Sequence, residues 1–457
     1  MKDNLLSSKR PPIYKDVVII GNGPSGLAMS YLLSGHVPVY NGNSHPDPIL
    51  DTLLRSNLRP GLPVTQADLL TLAQCLEGRN GATPVGLLVD AMVRPGTDAG
   101  LTAAPLLTWN TTRPSLSHVV IGRDRPGGTW QKIDGKTLTL SSSSWMELPG
   151  LPFHKSDAGR LADVTEDGVR VTASTVGDYY SEYVQKMGLL RYQKRGIVTG
   201  VSEHDDSDED NDRKVHWVVE GHDHRGRKFV YHSKYIVLAC GTNDSPNRLG
   251  IPGEDLDWVK HNTRDLDAYL KSLRSTVEDG PVLIVGSGLS SCDGVMTAQC
   301  HGASVLHLYR GHGGLAKWLP LTSYPEYHKV HTLMTGKATD RNYAGSSDLR
   351  LVGIDSNSKT AILEDGKGGQ HCQRVTAVAI LVGASADLSF LPRWDLGFDG
   401  GPANSKSNPL DVNLSTYELN RLPNAYAIGP LAGDTFVRHV LGGVIAASSH
   451  ILETPTT

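Results

Sequence analysis

The chain has 457 residues, 39% of them hydrophobic, which is enough to bury large cores and by length suggests about three domains. Its formal net charge is −4 and no long basic run appears, which argues against a nucleic-acid partner. The five cysteines are scattered without a Cys-x-x-Cys pair, so neither a zinc ribbon nor a redox disulfide of that spacing is expected. Scattered thiols fit a reducing compartment, and no apolar run has the length of a signal peptide or membrane span. The expectation is a cytoplasmic protein without a membrane span.

Val17–Ile20 is a β-branched run of the kind buried parallel strands use. Gly21-Asn22-Gly23-Pro24-Ser25-Gly26 follows it, and residues 26–34 read as a helix. Strand, glycine turn and helix together make the context of a dinucleotide site. Gly21 permits the tight turn, Gly23 lets backbone approach a pyrophosphate, and Gly26 lets the helix pack close to the strand. Pro24 and Ser25 complete a turn whose helix N-terminus favours phosphate.

Residues 37–40 read as a second strand, and an insertion at 41–116 then interrupts the domain before the sheet resumes at His118–Ile121. An acidic residue normally closes the second strand and binds the adenosine ribose. Tyr40-Asn41 stands there instead, which leaves Asp124, past the resumed strand, as the substitute. Pro126-Gly127-Gly128-Thr129-Trp130 is the next turn. Its paired glycines permit close backbone approach and its indole offers a flat face; a buried turn with a core tryptophan is the alternative.

Residues 175–187 read as a helix. The almost wholly charged Glu203–Lys214 reads as a solvated hairpin tip between strands at 215–220 and 228–231, without the glycine and terminal glutamate of a calcium loop. Tyr235–Ala239 is a further buried strand, ending at Cys240-Gly241-Thr242.

A second glycine turn, Gly286-Ser287-Gly288-Leu289-Ser290-Ser291, follows the strand Val282–Val285. Ser291 occupies the place of the usual third small residue, so its helix is expected slightly farther from the strand. The next strand ends at Arg310, whose guanidinium suits a 2′-phosphate and favours NADPH; an ordinary exposed arginine is the alternative. Strands at 376–382 and 425–428 lead to Gly429-Pro430-Leu431-Ala432-Gly433-Asp434 and a terminal helix at 436–452. Backbone at Gly429 and Gly433 can face a cofactor, with Asp434 either a helix cap or an acceptor for a ribityl hydroxyl. The histidine pairs lack ligand sets, so no metal is expected, and no Gly-x-Ser-x-Gly elbow suggests a hydrolase.

Two such units in order predict an α/β fold with two dinucleotide-binding, Rossmann-like domains. The second, at 276–370, is expected to be inserted in the first, at 14–275 and 371–457.

These turns, with Leu238-Ala-Cys-Gly-Thr242 and Ile251-Pro-Gly253, resemble the flavin-containing monooxygenases. Within them the chain is most similar to the oxidative-stress-induced growth inhibitor family. That resemblance rests on Val18–Gly26, Ser34-Gly35, His45-Pro46, Leu76–Arg79, Arg94-Pro95, Leu107-Thr-Trp109, Trp145–Pro149 and Tyr324–Val330. It runs from about 14 to 452 and includes the insertion. The resemblance implies FAD on the first turn and NADPH on the second. It implies a monooxygenase acting through a flavin hydroperoxide, with O2 and an unidentified small-molecule or protein substrate. It also implies a role in growth or cell-division control, including the midbody and cytokinesis-related protein partners. Ser143, Trp145 and Asn243 are then candidates for the flavin-side pocket. Two departures stand out: Asp255 and Asp257 replace the Phe and Gly of the Phe-x-Gly-x-x-x-His signature that ends at His261, and the Asn of relatives is replaced within Ser141–Ser144. A catalytically weak flavoprotein-fold regulatory protein is the alternative.

Overall fold

The computed structural model describes residues 11–76, 81–164, 169–204, 215–273, 280–311, 319–392, 396, 401 and 403–453. They form a mixed α/β fold of two compact units. The first draws on residues through Gln131, on Leu138–Thr242 and on residues from Ala386 onward; the second comprises Lys132–Thr137 and Asn243–Ser385.

The first unit opens with β1 (Ile13–Ile20), α1 (Pro24–Leu33) and β2 (His36–Tyr40). The insertion supplies α2 (Pro48–Asn57), α3 (Leu69–Ala73), α4 (Pro84–Val93) and β3 (Leu107–Thr111). The chain continues through β4 (His118–Gly122), α5 (Asp157–Leu161), α6 (Ala173–Lys186), β5 (Gln193–Glu203), β6 (Trp217–Asp223) and β7 (Lys228–Leu238). The second unit adds β8 (Ser245–Pro246), β9 (Val259–Lys260), α7 (Thr263–Ser272), β10 (Val282–Val285), α8 (Leu289–Cys300), β11 (Val305–Leu308), α9 (Pro325–Met334) and β12 (Tyr343–Ser346). It ends with the antiparallel trio β13 (Arg350–Asp355), β14 (Thr360–Glu364) and β15 (Gln370–Arg374), then β16 (Ala377–Ile380) and β17 (Ala384–Ser385). The chain returns to the first unit for β18 (Glu418–Leu419), β19 (Leu422–Ala427) and α10 (Val440–Glu453).

The first sheet has a parallel core in which β1 lies between β4 and β7, and β19 lies beyond β7. Ile20 pairs with Ile121 on one side and with Leu238 on the other, and Leu238 also pairs with Ala427. All four strands therefore end in line, and their outgoing turns leave at one edge. The central residues Val17–Ile20 are buried, as parallel strands covered on both faces require.

Several elements differ from the sequence reading. β2 forms no part of this sheet and pairs antiparallel with β3, from His36↔Thr111 to Tyr40↔Leu107, with an isolated bridge from Val39 to Pro63. Pro38, which has no N–H for a central ladder, suits that two-stranded setting. The strand beside β1 is thus β4. The compact units divide at 131/132, 137/138, 242/243 and 385/386, whereas the sequence reading puts the domain boundaries at 275/276 and 370/371. β9 pairs with β16 and β8 with β17, and such two-residue strands leave little periodic signal. Residues 205–214 of the charged segment lie outside the described residues. That segment links β5 to β6, whereas the strands it was expected to flank are joined by the turn 224–227. Residues 228–231 and 235–238 are one strand. The terminal helix starts at Val440, after a 3-10 turn at Val437–His439.

Candidate functional site

The edge where β1, β4, β7 and β19 end carries four of the turns singled out in the sequence. Gly21 has φ +117°, and a Cβ there would lie 2.3 Å from the carbonyl oxygen of Ala239. A Cβ on Gly26 would lie 2.0 Å from the oxygen of Gly21, so α1 approaches the strand as closely as backbone allows. Gly23 is the N-cap of α1 and faces Gly128, where a Cβ would come within 3.0 Å of the Gly23 Cα. Pro24 occupies the first turn, and Ser25 is buried against Gly429, at which a Cβ would overlap the Ser25 hydroxyl. Gly429 (φ +67°) and Gly433 (φ +100°) bound a 3-10 turn. Gly241, φ +72°, has open space around its Cβ position.

Asn22 ties two of these turns together. Its amide donates to the Asp124 carbonyl at 2.8 Å, and its own carbonyl accepts from the Gly127 N–H at 2.9 Å. That side chain fits only because Gly122 has no Cβ, which would meet the Asn22 Cγ at 2.0 Å. Asp124 therefore stands just past the end of the strand neighbouring β1, the place from which a ribose is held in this topology. Its carboxylate is accessible, with Arg195 at 3.5 Å. Thr129 and Trp130 lie in a half-buried 3-10 turn fastened by Gln131, whose amide donates to the carbonyls of Pro126 (2.7 Å) and Gly177 (2.8 Å).

Three tyrosines on α6 hold the next loop, a feature the sequence reading missed. Tyr179, Tyr180 and Tyr183 are fully buried and donate to the carbonyls of Leu151, Met146 and Pro149 at 2.7, 2.9 and 2.8 Å. A buried hydroxyl left unpaired costs about 1–3 kcal/mol, so these bonds fix the loop's backbone. Burial also raises all three phenol pKa values, which keeps them donors. One of the pocket candidates, Ser143, is closed off from open space. Ser143 is fully buried and exchanges hydrogen bonds with the Val169 backbone (2.8 and 3.2 Å); Trp145 is half-buried under Arg438. Asn243 is exposed and belongs to the second unit.

Asp434 neither caps a helix of its own turn nor is available to a ribityl hydroxyl. It is 0% exposed, and its carboxylate accepts from the Thr83 N–H (2.9 Å), the Thr83 hydroxyl (3.0 Å) and the Tyr417 hydroxyl (3.1 Å). Thr83 caps α4, so the family-specific insertion is what consumes this aspartate. Glycines make the approach possible: a Cβ on Gly86 would lie 2.5 Å from the Asp434 Oδ1, and one on Gly442 2.5 Å from the Gly86 backbone. Burial lifts the Asp434 carboxyl to about 7.

The second unit repeats the arrangement on β10. Val285 pairs with Leu308 and Ile380, and Gly286 (φ +146°) leads through Gly288 into α8. A Cβ on Gly286 would lie 2.3 Å from the Leu381 oxygen, while the space around the Gly288 Cβ position is open. Ser290 is exposed on the first turn of α8. Ser291 is fully buried, and its hydroxyl donates to the Gly288 carbonyl at 2.6 Å. The close helix–strand contact is made at Gly294, where a Cβ would lie 2.6 Å from Leu381 Cδ1 and 3.4 Å from Ile284 Cδ1. The spacing Gly286-x-Gly288-x5-Gly294 carried that signal. Arg310 is exposed beyond the end of β11, the strand beside β10. His307, also unforeseen, is fully buried and bonds the Gly286 carbonyl at 2.8 Å and the Tyr343 hydroxyl at 3.0 Å. Burial lowers its pKa to about 4, so the neutral ring donates to Gly286 and braces the turn.

Helix capping sets these two termini apart from most others; α9 also lacks a side-chain cap, at Tyr324, but carries Glu326 in its first turn. Side chains of Asp47, Asp68, Thr83, Ser156, Thr172 and Asn262 cap α2 to α7, whereas Gly23 and Gly288 leave the first N–H groups of α1 and α8 without such a cap. Both helices also lack acidic residues in the first turn. Such ends favour an anion.

Residues 99–399 match the pyridine nucleotide-disulphide oxidoreductase family. Over 476 residues the chain is 39% identical to oxidative stress-induced growth inhibitor 1 of Mus musculus, covering 99% of this chain and 98% of that protein. The chain belongs to the oxidative stress-induced growth inhibitor family. Two solved structures show its fold at low identity. Bacillithiol disulfide reductase Bdr from Bacillus cereus superposes with a TM-score of 0.61 at 18% identity, over 97% of this chain and 100% of that one. A flavin-containing monooxygenase from Stenotrophomonas maltophilia gives 0.54 at 15% identity, over 96% and 98%. Cys292, Cys300 and Cys372 are free thiols, and burial pushes Cys292 up to about 12, away from nucleophilic use. Among the described residues, no helix is long and apolar enough to cross a membrane.

Proposed function

We propose that the protein is an FAD-dependent, NADPH-consuming oxidoreductase of the monooxygenase type, with FAD on the first unit and NADPH on the second. The observation that carries this reading is the repeated strand end: a positive-φ glycine, an uncapped helix N-terminus and room for backbone to approach a phosphate, once on β1 and once on β10. The residues present fit both groups. Gly21–Gly26 and the first N–H groups of α1 would hold the FAD pyrophosphate, Asp124 the adenosine ribose, and the Gly127–Trp130 and Gly429–Gly433 turns the rest of the cofactor. Gly286–Ser291 would hold the NADPH pyrophosphate and Arg310 its 2′-phosphate. In this reading the NADPH domain is inserted in the FAD domain, between β7 and β18.

Bound FAD supplies the redox chemistry with O2. The protein's share is to hold the cofactor, exclude water and place the second nucleotide. The tyrosine-fixed loop from Trp145 to Leu151 is rigid enough for the second of these tasks, and no side-chain nucleophile is required. Ser291 gives no support to a non-catalytic protein, because Gly294 supplies the contact that Ser291 does not. Growth control is part of the proposal on the strength of the family's growth-inhibitor names; cell-division control, exercised in the cytoplasm or at the midbody through protein partners, is carried over from the sequence resemblance alone. The test is reconstitution: the purified chain should retain about one FAD after desalting and show a flavin absorbance spectrum. A chain that takes up no FAD from excess overturns the reading in favour of a regulatory protein.

A further inference from the structure

We propose that Arg438 is a positioning residue of the flavin pocket, pressing the indole of Trp145 into place as one wall and anchoring that wall to the insertion helix α4. The proposal rests on the flavin assignment above. Arg438 is only 6% exposed, and its guanidinium carbon lies 4.2 Å from the centroid of the Trp145 ring. Its Nε donates to Asp90 Oδ2 at 2.9 Å, its Nη1 to Asp98 Oδ1 at 2.9 Å, and its Nη2 again to Asp90. Asp90, on α4, also pairs with Arg94 at 3.1 Å, and Arg94 donates from Nε to the Ser144 carbonyl at 3.1 Å. One buried carboxylate thus aligns two arginines, one on the ring of Trp145 and the other on the backbone just before it.

The backbone beside this ring is tied to one of the turns assigned to FAD. Met146, next to Trp145, is held by the Tyr180 hydroxyl at 2.9 Å, and the Tyr180 ring lies 3.4 Å from the Cβ position of Gly127. Arg438 itself follows the Gly429–Gly433 turn by five residues. The residue next to Trp145 is therefore joined through one tyrosine ring to the paired-glycine turn, and Arg438 joins the indole to the segment that follows the terminal turn. Stability alone gives little reason for this arrangement, because burying an ion pair costs desolvation that apolar packing avoids. A planar, permanently charged fork stacked on an indole has a use where ring orientation matters.

The test uses the FAD-loaded full-length protein and reads flavin fluorescence and visible circular dichroism, with FAD affinity measured alongside. Trp145→Phe is expected to raise flavin emission several-fold by removing a quenching indole. Arg438→Lys keeps the charge but loses the flat fork, and is expected to shift emission and dichroism in the same direction. The two changes together should do no more than Trp145→Phe alone. Should Arg438→Lys fail to fold, Asp98→Asn loosens the same grip from a half-exposed position and should give a smaller shift of the same sign. Normal flavin signals in Trp145→Phe overturn the proposal while leaving FAD binding intact. So does an Arg438→Lys effect of equal size with and without Trp145. Failure of the unaltered protein to bind FAD overturns the functional reading itself, and this proposal with it.

Discussion

Replacing Asp434 by Asn should make the protein more stable at neutral and alkaline pH, although the aspartate makes three hydrogen bonds. Burial raises its carboxyl from 3.8 to about 7. Below 3.8 the group is protonated in folded and unfolded chains alike and contributes no pH dependence. As pH rises from about 4 to 7 the unfolded chain releases the proton and the folded chain retains it, so stability falls. At about 1.4 kcal/mol per pH unit, the interval of 3.2 pH units amounts to about 4 kcal/mol lost by pH 8. Asparagine has the same shape and remains neutral. Its oxygen can accept from the Thr83 N–H and hydroxyl, and its amide can donate to Tyr417, which in turn reaches the Thr83 hydroxyl. Urea unfolding at fixed excess FAD, from pH 5 to 8, should show Asp434→Asn gaining on the unaltered protein as pH rises. Comparing the two proteins cancels the opposite drift from His118 and His307, whose pKa values are lowered to about 4. A variant less stable by the same amount at every pH would refute the reasoning.

Three further outcomes are expected. Gly26→Ala places a methyl 2.0 Å from the Gly21 backbone oxygen, so it should cost at least about 1–3 kcal/mol and release FAD, read as a lower melting temperature with loss of bound flavin. Arg310→Ala should weaken NADPH about tenfold while leaving NADH unchanged, as losing one exposed charge-assisted contact implies. Steady-state kinetics with both nucleotides check this. Ser291→Gly should lower stability by about 0.5 kcal/mol through helix propensity without tightening NADPH, since Gly294 already makes the close contact; titration of bound nucleotide decides.

Glycine turns were legible in the sequence because each combines a local conformational demand with a steric one. Gly21 and Gly286 need positive φ and have backbone where a Cβ would sit, and glycine is the amino acid type that meets both conditions. The neighbour of β1 was harder to read, because β2 is a genuine strand and only its partner, β3, reveals that it lies outside the sheet. Partnership across 71 residues leaves no trace in local periodicity. Asp434 was misread for a related reason: the motif is local, but Thr83, more than 300 residues earlier, determines where its carboxylate points. The α6 tyrosines looked like an amphipathic face, and their hydroxyl bonds to the 146–151 loop appear only in three dimensions. His307 and Gly294 could have been found, one as a polar residue inside an apolar strand and the other by extending the glycine spacing one helical turn.

The central claim is that two nucleotide sites on one chain pass electrons from NADPH to FAD and then to O2. Its most direct test is anaerobic mixing of the FAD-loaded protein with NADPH, followed by admission of air, with flavin absorbance monitored throughout. The account predicts that NADPH bleaches the yellow flavin band and that air restores it while NADPH is consumed. A flavin that stays oxidised under excess NADPH would contradict it.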